Sequence, residues 1–426
     1  MTPFVLAFVL AASPAGVLSL DDALARAAAH PRMSEVRAAA TQAAAHVDEA
    51  RAGYLPSASA LATYLPAQVD GSSKLAAGAP GAPVNAFYST GIVVTQPIWD
   101  FGRTRGQVRS ASLAEEATGA DLGAARRDVE LSVRSAYYGA LAAEELVGVA
   151  LDSQKQMQDH LALAKASLEV GRRSPFDVAK AEVDVASARI ALIQAESGVA
   201  TARSALSAAI GEDIGAAPLA RPVEPAPEDP TPDRAAELAL AQRPELAAVD
   251  LRLGAQRAAV SSASSAFYPV VNAVGQLGWQ SSQLSSLTSA QSWQVGVTVT
   301  MPLLAGGGDA ARVRAQQALF GQLRSQRESL SLLVRAEAQQ AALAVSEARA
   351  RQSAAEVLQT QAQDNLTLAE GRYQAGVGSI IELSDAQASL TAARAQRVRA
   401  GYDLATARAR VARAVGTPSA IGSYEP

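Results

Sequence analysis

The chain is written twice, and that duplication constrains its fold more than any other feature. Gly171, Phe176, Asp177, Arg189 and Gly211 have counterparts at Gly376, Ile381, Glu382, Arg394 and Gly416, all at one offset, 376 − 171 = 205. Upstream, Pro31 and Pro56 correspond to Pro244 and Pro269 at an offset of 213, whereas Pro97 and Pro302 return to 205. An insertion of eight residues therefore lies between positions 56 and 97.

Proline divides each copy into elements, because a proline inside a helix costs about 3 kcal/mol. None occurs between Pro97 and Pro175 or between Pro302 and Pro418, and both tracts are rich in the strong helix formers Ala, Leu, Arg, Gln and Glu. Two helices of 68 residues follow, Arg103 to Val170 and Gly308 to Ala375, each about 100 Å long at ~1.5 Å per residue. They end at glycine turns, Gly171 in one copy and Gly376 and Gly378 in the other, and the chain returns as a helix of about 34 residues, Phe176 to Ala209 or Ile381 to Ala414. A returning helix of half the length leaves half of its partner's groove uncovered. Helices expected over Asp21 to Ala52 and Asp233 to Ala266 have the missing length, and stacked end to end with the returning helices they match one long helix. Six of the twenty prolines fall between Pro218 and Pro232 and mark a linker. The expected organisation is a signal peptide or N-terminal tail over 1–19, a first repeat over 20–217, the linker over 218–232, a second repeat over 233–416 and a tail over 417–426. The apolar run Pro3 to Ala12 is the candidate signal segment, although no Lys or Arg precedes it.

Between Pro56 and Pro97, and between Pro269 and Pro302, the period changes from helical to alternating. From Trp293 to Met301 one face reads Trp293, Val295, Val297, Val299, Met301 and the other Gln294, Gly296, Thr298, Thr300, the apolar-out, polar-in pattern of a transmembrane strand. Asn272, Gln276 and Gln280 alternate with Val271, Leu277 and Trp279, interrupted by Val274. The first pair of strands, near Ser57 to Gln68 and Phe87 to Ile98, carries a weaker signal. Ten of the nineteen aromatic residues gather in these regions, including all three tryptophans, Trp99, Trp279 and Trp293. Strand ends are where the interfacial belt of a membrane protein collects them, although aromatics also favour strands in general.

Composition excludes several alternatives. With 49% hydrophobic residues the chain folds, and with only 4% aromatic its apolar surface is mostly methyl groups, suited to closely packed helices. A net charge of −4 with interspersed arginines gives no footprint for nucleic acid, and zero cysteines rule out disulfides, thiolate metal sites and an acylated cysteine anchor. The three histidines, His30, His46 and His160, stand at no ligand spacing that repeats between the halves, so no metal is expected. Gly306-Gly307-Gly308-Asp309 lacks a following Gly-Lys-Ser/Thr and reads as a turn with Asp309 as helix N-cap. No catalytic constellation is legible, and neither an enzyme nor a cofactor is expected.

Outside the first residues no apolar run reaches the ~20 residues of a membrane-spanning helix, so a membrane crossing has to be made by strands. Four strands cannot close a barrel, for which about eight is the minimum, and the barrel must then be shared among protomers. Sequence alone does not choose three protomers over two or four.

Two copies of helix, strand pair, long helix, glycine tip and returning helix, with Tyr373-Gln374-Ala375-Gly376-Val377-Gly378-Ser379-Ile380-Ile381-Glu382-Leu383-Ser384-Asp385-Ala386-Gln387 at the second tip, resemble the outer membrane efflux protein family that includes TolC. The resemblance runs from about Leu20 to Gly416. It implies an α+β fold: a transmembrane β-barrel, four strands per protomer shared in a homotrimer, continued by a long periplasmic α-helical barrel. It further implies the outer membrane of a Gram-negative cell, outer membrane lipid around the barrel, and docking of the tips onto a periplasmic adaptor protein and an inner-membrane transporter. The implied function is a passive duct of a tripartite efflux pump or a type I secretion system, gated at its periplasmic tip. A soluble periplasmic helical scaffold is the alternative.

The family's closed state is held by polar links between neighbouring hairpins, and the matching positions are Asp177 and Tyr373, the tyrosine hydroxyl donating to the carboxylate. A family arginine has no counterpart at Gly378, and Arg172 and Arg173 at the other tip are candidate substitutes. Glu382 and Asp385 project from one helix face, and in a trimer they form a ring of six carboxylates at a constriction that favours cations. The plainer alternative is that acidic residues in a first turn complement the helix dipole.

Overall fold

The structure, a computed structural model, describes residues 16–69, 84–222, 229–281, 283–284, 287, 291–418 and 420–421. The candidate signal segment Pro3 to Ala12, linker residues 223–228 and the end of the C-terminal tail lie outside the described residues. In chain order the elements are α1 (Leu20–Ala27), α2 (Pro31–Ala52), β1 (Ser57–Val69), β2 (Val84–Trp99), α3 (Arg103–Glu169), α4 (Pro175–Ile210), α5 (Pro232–Gln242), α6 (Pro244–Ser264), β3 (Val270–Ser281), β4 (Gln291–Thr300), α7 (Gly308–Gln374) and α8 (Ile380–Val415). The long helices end within one residue of the expected positions.

Two expectations are corrected. The helices read as Asp21 to Ala52 and Asp233 to Ala266 are each broken in two, before Pro31 and before Pro244. Proline disfavours helical backbone in the residue before it and is pre-organised for a first helical position, so each break follows from the proline itself. Asp309 is not an N-cap but lies inside the first turn of α7, paired with Arg312 at 3.7 Å. In the first copy Asp100 does the capping work, accepting from the N–H groups of Gly102 (3.0 Å) and Thr104 (2.7 Å).

The molecule forms two compact units, one comprising Ala38–Ala120 and Ala247–Glu328 and the other Met1–Arg37, Asp121–Leu246 and Ser329–Pro426. The first holds a sheet of order β1-β2-β3-β4, antiparallel throughout. The β2–β3 ladder, with Ile92 opposite Leu277 and Val94 opposite Gly275, joins the two repeats. Because partners across a ladder share a face, the register places Ala60, Ile92, Leu277 and Trp293 in one apolar row, with Val295, Val297 and Val299 beyond it. Trp99 and Trp279 lie on the same face. The opposite face carries Ser59, Asn272, Gln276, Gln280, Gln294 and Thr298, and the Gln294 amide donates to the Gln276 carbonyl at 3.0 Å. None of the four strands contains an ionisable residue except for its tyrosines.

The apolar face is bare: Trp293 is 75% and Val295 79% exposed. Aromatic rings meet at both ends of the sheet, Tyr64 stacked on Tyr88 at 4.9 Å and Phe101 on Tyr268 at 5.2 Å. From Tyr88 to Trp99 the strand climbs about 36 Å at ~3.3 Å per residue, or about 25 Å when tilted ~45°, the height of the apolar band of a membrane barrel. Gly91 faces Gly278, and a Cβ at Gly91 would lie 2.7 Å from the Leu277 carbonyl oxygen, so the strands approach there only because both residues lack a side chain.

In the helical unit the short helices meet the returning helices at their breaks. Gly211, which ends α4 with φ +85°, lies against His30 and Pro31, and Gly416, which ends α8 with φ +86°, lies against Gln242 and Arg243. Both glycines occupy left-handed backbone where a Cβ would also collide with the abutting chain, at 3.0 Å in each case. Arg243, 5% exposed, secures the second junction by donating to the Ala414 carbonyl (2.8 Å) and pairing with Glu337 (2.7 Å). At the first, a core of Leu24, Met33, Leu206 and Ile210 surrounds Tyr137, whose hydroxyl lies 2.8 Å from the Leu18 carbonyl and 2.6 Å from that of Ala220. No helix among the described residues is long and apolar enough to cross a membrane.

Burial pushes the Tyr137 phenol up to about 12, above its usual ~10. A phenol raised in the folded state stabilises it fully below about pH 10, and that contribution is lost as pH rises through about 12. Tyr137→Phe is expected to cost about 1 kcal/mol at neutral pH in denaturant melts and to make the alkaline loss of stability shallower.

Candidate functional site at the helical tips

Both long helices stop by the same device. At the end of α3, Gly171 (φ +71°) donates to the Leu168 carbonyl and Arg172 to that of Ser167, both at 2.9 Å. At the end of α7, Gly376 (φ +82°) donates to Tyr373 and Val377 to Arg372, both at 3.1 Å. Paired bonds of this kind around a left-handed glycine form a Schellman stop. The helices that follow open differently: Pro175 takes the first position of α4, whereas the Ser379 hydroxyl caps α8 by accepting from Glu382 N–H at 3.1 Å. Gly378 serves close approach, since a Cβ there would stand 3.0 Å from the backbone of Arg372 and Tyr373.

Against that glycine lies Arg173. Its guanidinium donates to the Tyr373 carbonyl at 2.6 Å and the Gly378 carbonyl at 3.1 Å, and sits 4.1 Å from the Tyr373 ring centroid. Asp177 steadies it from one turn further along, 4.0 Å from Nε, and also accepts from the Ser174 hydroxyl at 3.2 Å. One planar cation thus uses its fork on two carbonyls and its face on an aromatic ring, a combination lysine cannot reproduce.

Within the protomer this arrangement differs from a direct tyrosine–aspartate bond. The Tyr373 hydroxyl is buried without a hydrogen-bond partner among the described residues, and Asp177 faces Arg173 instead. The reason is charge: a carboxylate gains more from a guanidinium than from a neutral phenol. Burial, then the Asp177 charge, push the Tyr373 phenol up, with Arg173 opposing. Arg172 is exposed, and its side chain has no hydrogen bond or ion pair among the described residues.

Glu382 and Asp385 both lie on the exposed face of α8. Arg372 pairs with Glu382 at 3.4 Å, and Asp385 has no such counter-ion among the described residues. Behind that face, a polar seam joins the α3–α4 hairpin to the α7–α8 hairpin. Tyr402 donates to Glu145 at 2.8 Å, Thr391 to Ser153 at 3.2 Å and Ser384 to Asp184 at 2.6 Å, and Gln387 donates to Gln156. His160 and Glu370 face each other at 3.8 Å. The sequence reading missed this seam. Its signal was Gln387, only 1% exposed, in the otherwise apolar series Ile380, Leu383, Leu390 at core-facing spacing. Among the described residues no group of three or more metal-ligating side chains occurs.

The family model for "Outer membrane efflux protein" matches residues 20–212 and 235–417. Outer membrane protein OprJ of Pseudomonas aeruginosa is 28% identical over 191 residues, 44% of this chain, and the chain covers 40% of OprJ. Outer membrane efflux protein BepC of Brucella suis is 23% identical over 386 residues, 86% of this chain and 82% of that protein. Among solved structures, outer membrane protein VceC of Vibrio cholerae superposes with a TM-score of 0.80 at 20% identity, covering 93% of this chain and 96% of VceC, which shows the same fold.

Replacing Arg173 by Leu removes the donors to two tip carbonyls while keeping much of the packing. The expected loss is about 2 kcal/mol of local stability, read as a roughly 30-fold faster amide exchange in the α7–α8 turn.

Proposed function

The chain belongs to the outer membrane efflux protein family, and from that premise we propose that three copies close a gated duct through the outer membrane of a Gram-negative cell. The observation that carries this reading is the four-stranded sheet, with one bare apolar face free of charge, an opposite face that is largely polar though interrupted by Leu61, Val93 and Val274, and β1 and β4 each lacking an outer partner among the described residues. In lipid an unpaired edge leaves backbone groups unsatisfied at several kcal/mol each, so β4 of one copy has to pair with β1 of the next. Three copies supply about twelve strands, above the lower limit of about eight for closure. A soluble scaffold is disfavoured, because the bare apolar face would drive aggregation.

The helices support the same assembly. On α4, Phe176, Val183 and Ile190 stand seven residues apart with Ile193 three further on, the a and d spacing of a coiled-coil seam, and all are 57–60% exposed, while α7 leaves Leu343, Val357 and Leu368 bare. A neighbouring copy covers both stripes. The chain itself is a passive conduit: a periplasmic adaptor protein and an inner-membrane transporter engage the tips, and energy comes from the transporter. Arg173, held by Asp177 against Tyr373, is the main link of the closed gate, with Arg172 free for a neighbouring copy. Glu382 and Asp385 form the acidic constriction, and because Arg372 offsets Glu382, Asp385 dominates its field.

Two measurements test this. Val297→Arg, on the lipid face, is expected to cost about 2–4 kcal/mol of folding stability in vesicles, whereas Thr298→Arg, one residue along, leaves the barrel intact. In planar bilayers the detergent-purified trimer should show a small, cation-selective conductance. Asp385→Asn with Glu382→Gln should reduce that selectivity, and Asp177→Ala with Arg173→Leu should raise the conductance. A detergent-independent, non-conducting monomer would overturn the assignment.

A further inference from the structure

Of the three histidines, only His160 bridges the two hairpins, and it does so inside the polar seam. Its side chain is 13% exposed and its Nε2 lies 3.8 Å from Glu370 Oε1, too far for a good hydrogen bond. The two residues line a cavity of about 260 Å³ with Gln156, Asp159, Tyr373 and Leu383, and no lysine or arginine lines it. The charged groups facing the imidazole are Asp159 from its own helix α3, Glu370 from α7 and Asp184 from α4. From α8 the cavity receives Leu383, which carries no charge. Asp184 is already engaged by Lys180 and the Ser384 hydroxyl.

Two tendencies compete here. The carboxylates favour an imidazolium, and burial opposes one. Glu370 is 42% exposed, so water screens its attraction, while the imidazole is mostly buried. Burial therefore dominates and holds the His160 imidazole below the usual histidine value, with Glu370 and then Asp159 only partly offsetting it. In an opened seam the ring is hydrated and recovers its ordinary value of about 6.5. A histidine depressed in the closed form stabilises that form fully above about pH 6.5, and the contribution is lost as pH falls through the depressed value.

We propose that His160 is an acid-sensitive release for the hairpin seam, so that its protonation favours separation of α3 from α7 beside the tip. Separation there reaches the gate directly, because Tyr373 lines the same cavity and its carbonyl is the one Arg173 holds. The functional meaning of this release rests on the gate reading above. Its structural content does not, since both hairpins belong to one protomer.

The chain has no cysteine, so Val170→Cys and Val377→Cys, both exposed at the tips, allow spin labels to be placed on the two hairpins of the purified trimer. As pH is lowered through and below about 6.5, the wide-separation population is expected to rise several-fold. His160→Gln should abolish that rise, and Glu370→Gln should move its midpoint to lower pH by removing the chief attraction for the imidazolium. An unchanged acid response in His160→Gln, or hairpins that draw together on acidification, would sink the proposal. Bilayer conductance recorded in parallel separates the two ideas: hairpins that part in acid without any current keep the release and cost the duct, while a current with no response to acid does the reverse.

Discussion

A sheet edge cannot be left open in hydrocarbon. Each free N–H or C=O along β1 or β4 would cost several kcal/mol, and this chain ends its sheet at four strands with no element among the described residues covering either side. The apolar face adds the same demand, since Trp99, Trp293, Val295, Val297 and Val299 stand exposed on it. Assembly is thus a condition of the fold rather than an addition to it. No other element among the described residues satisfies the edge strands, and the exposed stripes on α4 and α7 carry the same requirement into the helices.

The helical unit faces a different problem, how to continue the packing where helices that return for only 36 residues come to an end. Its answer is an abutment, used twice. A left-handed glycine stops the returning helix where a proline restarts a second one, Gly211 against His30 and Pro31, and Gly416 against Gln242 and Arg243 just before Pro244. The junctions differ in how they are secured. His30 stands at one and Arg243 at the other, and only the arginine caps the spent helix by binding the Ala414 carbonyl.

Much of this was legible beforehand because it rests on local rules. Proline-free, alanine-rich tracts set the long helices, and alternation from Trp293 to Met301 set a strand and its faces. The breaks at Pro31 and Pro244 were equally local and were read through because helical composition continues on both sides. What the sequence hid is tertiary. Gln387 and Ser384 look like ordinary helix residues until α3 and α4 are packed on them, and Arg173 shows its role only when the second tip brings the Tyr373 and Gly378 carbonyls to it. Asp177 and Tyr373 were identified as a pair, but the guanidinium between them depends on the packed turn.

The contact between Arg173 and Gly378 joins two positions that the duplication makes equivalent, 378 − 173 = 205. Had the two repeats stayed identical, their tips would carry the same residue at both places. Arginine at both would have met a backbone with no room for a side chain, and glycine at both would have offered nothing to grip. Divergence between the two copies makes one the key and the other the keyhole. The latch seen here requires two kinds of tip, and the doubled chain supplies both.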